Sequence, residues 1–271
     1  MLEEITPERP KPATAGPATP LLSKVPQVTA IFWITKVLTT GMGETTSDYL
    51  AHALDPAVAV GLGALAFAAA LALQFSVKRY IPWVYWLAVV MVSIFGTMAA
   101  DVLHVGLGIP YLVSTVFYAA VLAIVFLLWH RTEGTLSIHS ITSRRRESFY
   151  WAAVLATFAL GTAAGDLTAM TFNLGYLGSG VLFAVAIAVP AFAYWKFGLK
   201  AIPAFWAAYV LTRPLGASFA DWMAVSHQRG GLDWGSGPVS VGWALAIVGL
   251  VAVLAIKQRR STAVAARAPR R

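Results

Sequence analysis

Cysteine is absent from the 271 residues, and charge is scarce, with only 12% of the chain Asp, Glu, Lys or Arg. The first absence excludes disulfides, thiolate metal sites, iron–sulfur clusters and cysteine nucleophiles. The second excludes an ordinary soluble domain, in which about a quarter of the residues are charged. Also missing are G-x-S-x-G, H-E-x-x-H and a phosphate-binding glycine loop, so no enzyme is expected. What the chain has instead is hydrocarbon: 58% of its residues are apolar and its mean hydropathy is +0.70. Several apolar runs exceed the roughly 18 residues needed to cross a bilayer. This is the composition of a polytopic membrane protein.

Eight spans are expected, at 25–50, 57–76, 81–105, 110–130, 148–172, 177–195, 201–226 and 238–256. They form one membrane domain, 25–256. Residues 1–24, rich in Pro, Thr and Ala, read as a disordered tail and not as a signal peptide. Residues 257–271 read as a second disordered tail, a basic one. Seventeen of the 20 Lys and Arg fall in the two tails, the 77–80 and 196–200 turns and the 131–147 loop, all on one side of the spans. Positive-inside bias then puts both termini in the cytoplasm. It also accounts for the net charge of +8 without nucleic acid as a partner; the bilayer itself is the partner expected.

The first, third, fifth and seventh spans align without a gap. Phe32-Trp33 leads to Gly43 and Asp48, Tyr85-Trp86 to Gly96 and Asp101, Tyr150-Trp151 to Gly161 and Asp166, and Phe205-Trp206 to Gly216 and Asp221. The pattern is [FY]-W-x9-G-x4-D, four times over. The repeats run over about 25–80, 81–147, 148–200 and 201–256. With its four tandem two-helix units and a characteristic tryptophan in each, the chain resembles a family of uncharacterised bacterial integral membrane proteins. The resemblance spans residues 25–257 and implies a bacterial cytoplasmic-membrane location; it carries no activity with it. Two spans per repeat is an even number, so all four copies enter from the same side. The expected fold is all-α, with four parallel repeats around a pseudo-axis normal to the membrane.

Trp33, Trp86, Trp151 and Trp206 are expected near the cytoplasmic interface, as anchors or packing residues. Gly43, Gly96, Gly161 and Gly216, each followed four residues later by a small residue, let neighbouring backbones approach. Fifteen residues beyond each Trp, Asp48, Asp101, Asp166 and Asp221 lie roughly 22 Å further along the helix, toward the external third. An acid in hydrocarbon is expensive and marks function by default. Glu44 adds a fifth carboxylate one turn before Asp48. Lys36 and Arg213 bring two positive charges to tune the layer, and Pro214 is expected to break the seventh span. His52, His104 and His227 follow their repeats' acids and form a candidate metal-ligating set.

The leading expectation is therefore a transporter or channel for a cation, above all a divalent metal such as manganese, with the metal as substrate. A redox or haem-binding membrane protein and a structural or signalling scaffold are the alternatives. The oligomeric state is open.

Overall fold

The computed structural model describes residues 23–267, and among these the chain is helical without strands. The eight helices are α1 (Ala30–Ala53), α2 (Pro56–Ser76), α3 (Pro82–Asp101), α4 (Tyr111–Glu133), α5 (Arg144–Asp166), α6 (Gly175–Lys196), α7 (Ala201–Ala224) and α8 (Ser236–Arg267). Local sequence sets their ends. The Thr29 and Ser143 hydroxyls accept from Phe32 N and Arg146 N at the starts of α1 and α5. Asp55 caps α2 ahead of Pro56, and Gly134, at φ 70°, ends α4. Directly after their Asp, α3 and α5 widen into π turns, Val102–Gly106 and Leu167–Thr171.

The odd helices form a closed inner ring in which α1 packs on α3, α3 on α5, α5 on α7 and α7 on α1. The even helices lie outside, but not against their own partners. α2 packs mainly on α3, α4 on α5, α6 on α7, and α8 returns to α1. Each repeat thus covers the inner helix of the next, and α8 closes the circle. Burial follows the layers. In their apolar windows α3 and α5 are 61% and 67% buried, whereas α2, α4 and α6 are 22% and α8 is 17% buried. Side chains such as Leu65, Val116, Val185 and Leu245 are left facing outward.

Six of the helices, all but α1 and α7, are long and apolar enough to cross a membrane, and the protein is a multi-pass membrane protein. α1 carries Lys36, Glu44 and Asp48, and α7 carries Arg213 and Asp221. Both sit in the ring, where neighbouring helices cover these groups.

Two sets of contacts go around the ring and explain the repeated residues. The aromatic residue before each tryptophan meets the tryptophan of the next repeat: Phe32–Trp86 at 5.7 Å, Tyr85–Trp151 at 5.7 Å, Tyr150–Trp206 at 6.2 Å and Phe205–Trp33 at 5.5 Å between ring centroids. Ten residues further on, each glycine faces the side chain that lies three before the next repeat's glycine. A Cβ on Gly43 would strike Ser93, on Gly96 Phe158, on Gly161 Arg213, and on Gly216 Thr40. The four glycines permit helix contact at van der Waals distance.

Three details differ from the sequence reading. α7 is continuous from Ala201 to Ala224 with Pro214 inside it, the ring Cδ standing 2.9 Å from where a Gly161 Cβ would be. α8 remains helical to Arg267, through most of the segment read as a disordered tail; residues 268–271 lie outside the described residues. Of the first tail, residues 1–22 also lie outside them, but Lys24 is buried, with Nζ 2.5 Å from Glu147 Oε2 and 3.4 Å from Phe75 O.

Candidate functional site

The ring axis is polar at one end and aromatic at the other. At the Trp end, Phe32, Tyr85, Tyr150 and the four tryptophans fill the space, with Tyr85 Oη and Tyr150 Oη 2.5 Å apart. Trp86, Trp151 and Trp206 are buried and Trp33 is partly so, which makes them packing residues inside the ring. The loop 134–143 passes beneath, burying Ile138 and Ile141, while its Leu136 carbonyl accepts from Trp206 Nε1 at 2.9 Å. Glu147, fully buried, accepts from Lys24 and from Gln74 Nε2 at 3.0 Å. This end is closed.

Arg213 crosses the middle. It is fully buried and reaches the other three inner helices at once. Nη1 donates to Thr40 O of α1 at 3.2 Å. Nη2 lies 2.5 Å from Glu44 Oε2 of α1, 2.7 Å from Thr162 Oγ1 of α5 and in contact with Thr97 Oγ1 of α3, its two hydrogens shared among the three acceptors. Glu44, Thr97, Thr162 and Ala217 each follow their repeat's glycine, so the guanidinium from α7 occupies the layer where α7 itself offers only a methyl group. One turn toward the Trp end, Lys36 is buried, with Nζ 3.9 Å from the centre of the Phe158 ring and 4.4 Å from that of Tyr209. Its Nζ has no hydrogen-bond partner among the described residues. The Arg213 guanidinium and the Lys36 amine therefore share the centre with one carboxylate, Glu44, which is engaged by Arg213.

The four aspartates lie beyond this brace. Asp221 is buried, and Asp48, Asp101 and Asp166 are partly exposed. They lie within electrostatic reach of one another and of Glu44: Asp101 feels Asp166 and Asp48, and Asp221 feels Asp48 and Asp166. The four sequence-selected aspartates thus lie beyond Arg213, while the fifth carboxylate, Glu44, is held at the centre by its guanidinium.

The histidines separate. His104 is buried, with Nε2 3.7 Å from Asp101 Oδ1 and 3.6 Å from Asp166 Oδ2. His52 is exposed and turns Nδ1 to the carbonyl of Asp48 in its own helix at 2.7 Å. His227 is exposed in the loop after α7. The three do not converge, because they stand at different offsets from their acids and so point in different directions around the helices. His104 alone joins the carboxylates, and ligand atoms of Asp101, His104 and Asp166 all lie within 4.8 Å of one another.

Around this group stand residues that the sequence reading passed over. The Tyr111 ring packs on His104 at 4.8 Å, and Ser114 contacts its Nδ1. Tyr176 receives a hydrogen bond from Arg229, whose guanidinium carbon lies 5.5 Å from the centre of the Tyr176 ring. A signal for them was present: D-x9-Y-L-x-S recurs as Asp101 to Tyr111-Leu112-Val113-Ser114 and as Asp166 to Tyr176-Leu177-Gly178-Ser179. The two repeats match in backbone as well, with Gly108 and Asn173, each seven residues after the Asp, both at positive φ.

No curated protein and no solved structure matches the chain. The profile of one family, described as a Repeat of Unknown Function (DUF347), matches residues 31–80, 84–135, 149–198 and 204–260. These units coincide with the helix pairs α1–α2, α3–α4, α5–α6 and α7–α8, each supplying one inner helix with its Trp, Gly and Asp. The chain belongs to the DUF347 repeat family, of which it carries four tandem copies.

Proposed function

We propose that the protein is a cation transporter of the bacterial cytoplasmic membrane, with eight spans around an axis normal to the bilayer and both termini inside. The Asp end then faces outward and the closed Trp end faces the cytoplasm. Its substrate is a divalent metal ion, held by carboxylates of the Asp layer. The observation that carries this reading is the gathering of Asp48, Asp101, Asp166 and Asp221 at the open end of an axis that Arg213 closes. Acids sharing a low-dielectric site repel one another strongly, and a bound cation relieves that repulsion.

The filled axis favours a carrier over a channel. Arg213, Lys36 and the aromatic layer leave no open path along the ring, so passage requires the inner helices to rearrange. Parallel repeats do not supply the rocking symmetry of inverted ones, and adjacent pairs of repeats moving against each other remain the available motion.

Flux in proteoliposomes tests the proposal, with Mn2+ presented outside and a metal-sensitive dye inside. Wild type should admit the ion, and Asp101→Asn and Asp166→Asn should each lower the rate at least tenfold while eluting as folded protein. Wild-type flux indistinguishable from empty liposomes, or undiminished flux in both variants, would remove the reading.

A further inference from the structure

We infer that Asp101, His104 and Asp166 form a single transition-metal site at the junction of the second and third repeats. The inference deepens the proposed function by naming the class of ion and the place where it is held.

The hydrogen-bond pattern of His104 carries the argument. The Ser114 hydroxyl donates its one proton to Tyr111 O at 3.0 Å. It can then only accept from His104 Nδ1, which lies 3.0 Å away. In that arrangement Nδ1 carries the ring proton and Nε2 is free to ligate. This nitrogen is buried and has no hydrogen-bond partner among the described residues. It faces Asp101 Oδ1 and Asp166 Oδ2 at distances too long for hydrogen bonds. Three atoms able to ligate therefore converge without a hydrogen bond between His104 and either acid, and a cation would engage all three.

The geometry suits a metal of ordinary size. Ligand atoms about 2.0–2.2 Å from one ion stand about 3–3.5 Å apart; the His104 contacts at 3.6 and 3.7 Å need a few tenths of an ångström of closure, and the two carboxylates, whose ligand atoms stand within 4.8 Å, would draw together around the ion. Asp101 and Asp166 keep 31% and 21% side-chain exposure, which leaves an approach from water and open positions for it. Ser114 supplies the outer hydrogen bond that fixes imidazole orientation in many metal sites. One imidazole with two carboxylates selects first-row divalent ions from manganese to zinc over magnesium and calcium, which prefer all-oxygen shells. The ring offers this set once. The residues at the His104 position in the other repeats are Ala51, Ala169 and Ala224.

The test is Mn2+ binding to purified, detergent-solubilised protein, followed by electron paramagnetic resonance with pulsed detection of 14N coupling. The expected result is one ion per chain, an imidazole nitrogen coupled to it, and no displacement by a hundredfold excess of Mg2+. His104→Gln should abolish the nitrogen coupling and weaken binding at least tenfold. Ser114→Ala, which leaves all three ligands in place, should weaken it severalfold and serves where the first variant fails to fold. No saturable binding, binding without 14N coupling, or coupling that survives His104→Gln would overturn the site. Binding is read apart from flux. A protein that binds as described yet transports nothing would refute the transporter and leave the site standing, and Mn2+ flux without this site would do the reverse.

Discussion

Arg213 Nη2 lies 2.5 Å from Glu44 Oε2, joining α7 to α1 across the centre of the ring with both side chains out of water. The same nitrogen also holds Thr97 and Thr162. Removing one member of a buried ion pair leaves the other charged and unsolvated, at about 3–5 kcal/mol. Arg213→Ala and Glu44→Gln should therefore each lower the melting temperature in detergent, by on the order of 10 °C. The double variant should lose much less than the sum, because it leaves neither charge stranded. Strict additivity in that cycle would show that the two groups do not act as a pair.

Glycine packing separates the inner ring from the outer helices. An alanine at Gly161 would drive its Cβ into Arg213 and to within 2.9 Å of the Pro214 ring. An alanine at Gly61 on α2 would meet nothing within 4 Å. Gly161→Ala should destabilise by about 1–3 kcal/mol, the usual penalty for overpacking. Gly61→Ala should be neutral or raise stability by about 0.5–1 kcal/mol, since alanine is the better helix former. Equal effects at the two positions in a thermal-unfolding comparison would contradict the ring geometry.

These contacts also mark how far the sequence could be read. The four copies of [FY]-W-x9-G-x4-D were legible because each lies within one helix and holds its spacing without a gap. The order of helices around the ring was not, since the closing contacts join Phe205 to Trp33 and α8 to α1, nearly the whole chain apart. The acids could be picked out as a set, but not which of His52, His104 and His227 would come to lie beside them. His104 differs from His52 by one residue of offset, and the π turn after Asp101 redirects it toward Asp166. Pro214 does not end α7: the lost backbone hydrogen bond was visible in the sequence, but not that the helix runs on through it.

Lys36 sits where a charge has little to gain. Its ammonium meets the faces of Phe158 and Tyr209 and no acceptor, one turn from the Arg213 guanidinium. Cation–π contact returns about 2 kcal/mol in a dry site, less than the several kcal/mol of desolvation for a buried ion. Lys36→Met keeps the length of the side chain and removes the amine. It should hold or raise the melting temperature, whereas Lys36→Ala, which also opens a cavity, should lower it by about 2–4 kcal/mol equivalent. A large loss in the methionine variant would mean that the ammonium itself holds the ring together.

Arg229, from the short 227–229 turn after α7, stands at the rim of the acid layer. It donates to Tyr176 and lies within electrostatic reach of Asp48 and Asp166. The segment carrying it is folded back on the end of α7, with Leu232 N, Trp234 N and Gly235 N donating to Trp222, Met223 and Ala224 carbonyls at 2.8–3.1 Å. Its charge opposes that of an incoming cation across a partly aqueous gap, where the interaction is about 0.5–1 kcal/mol. Arg229→Ala should therefore tighten Mn2+ binding about two- to fivefold at 20 mM salt, and the gain should shrink at 500 mM as the Debye length falls to about 4 Å. Arg229→Lys keeps the charge and should stay near wild type in both conditions. Weaker binding in the alanine variant would instead make Arg229 a support for Tyr176, holding the rim in the shape that the site requires.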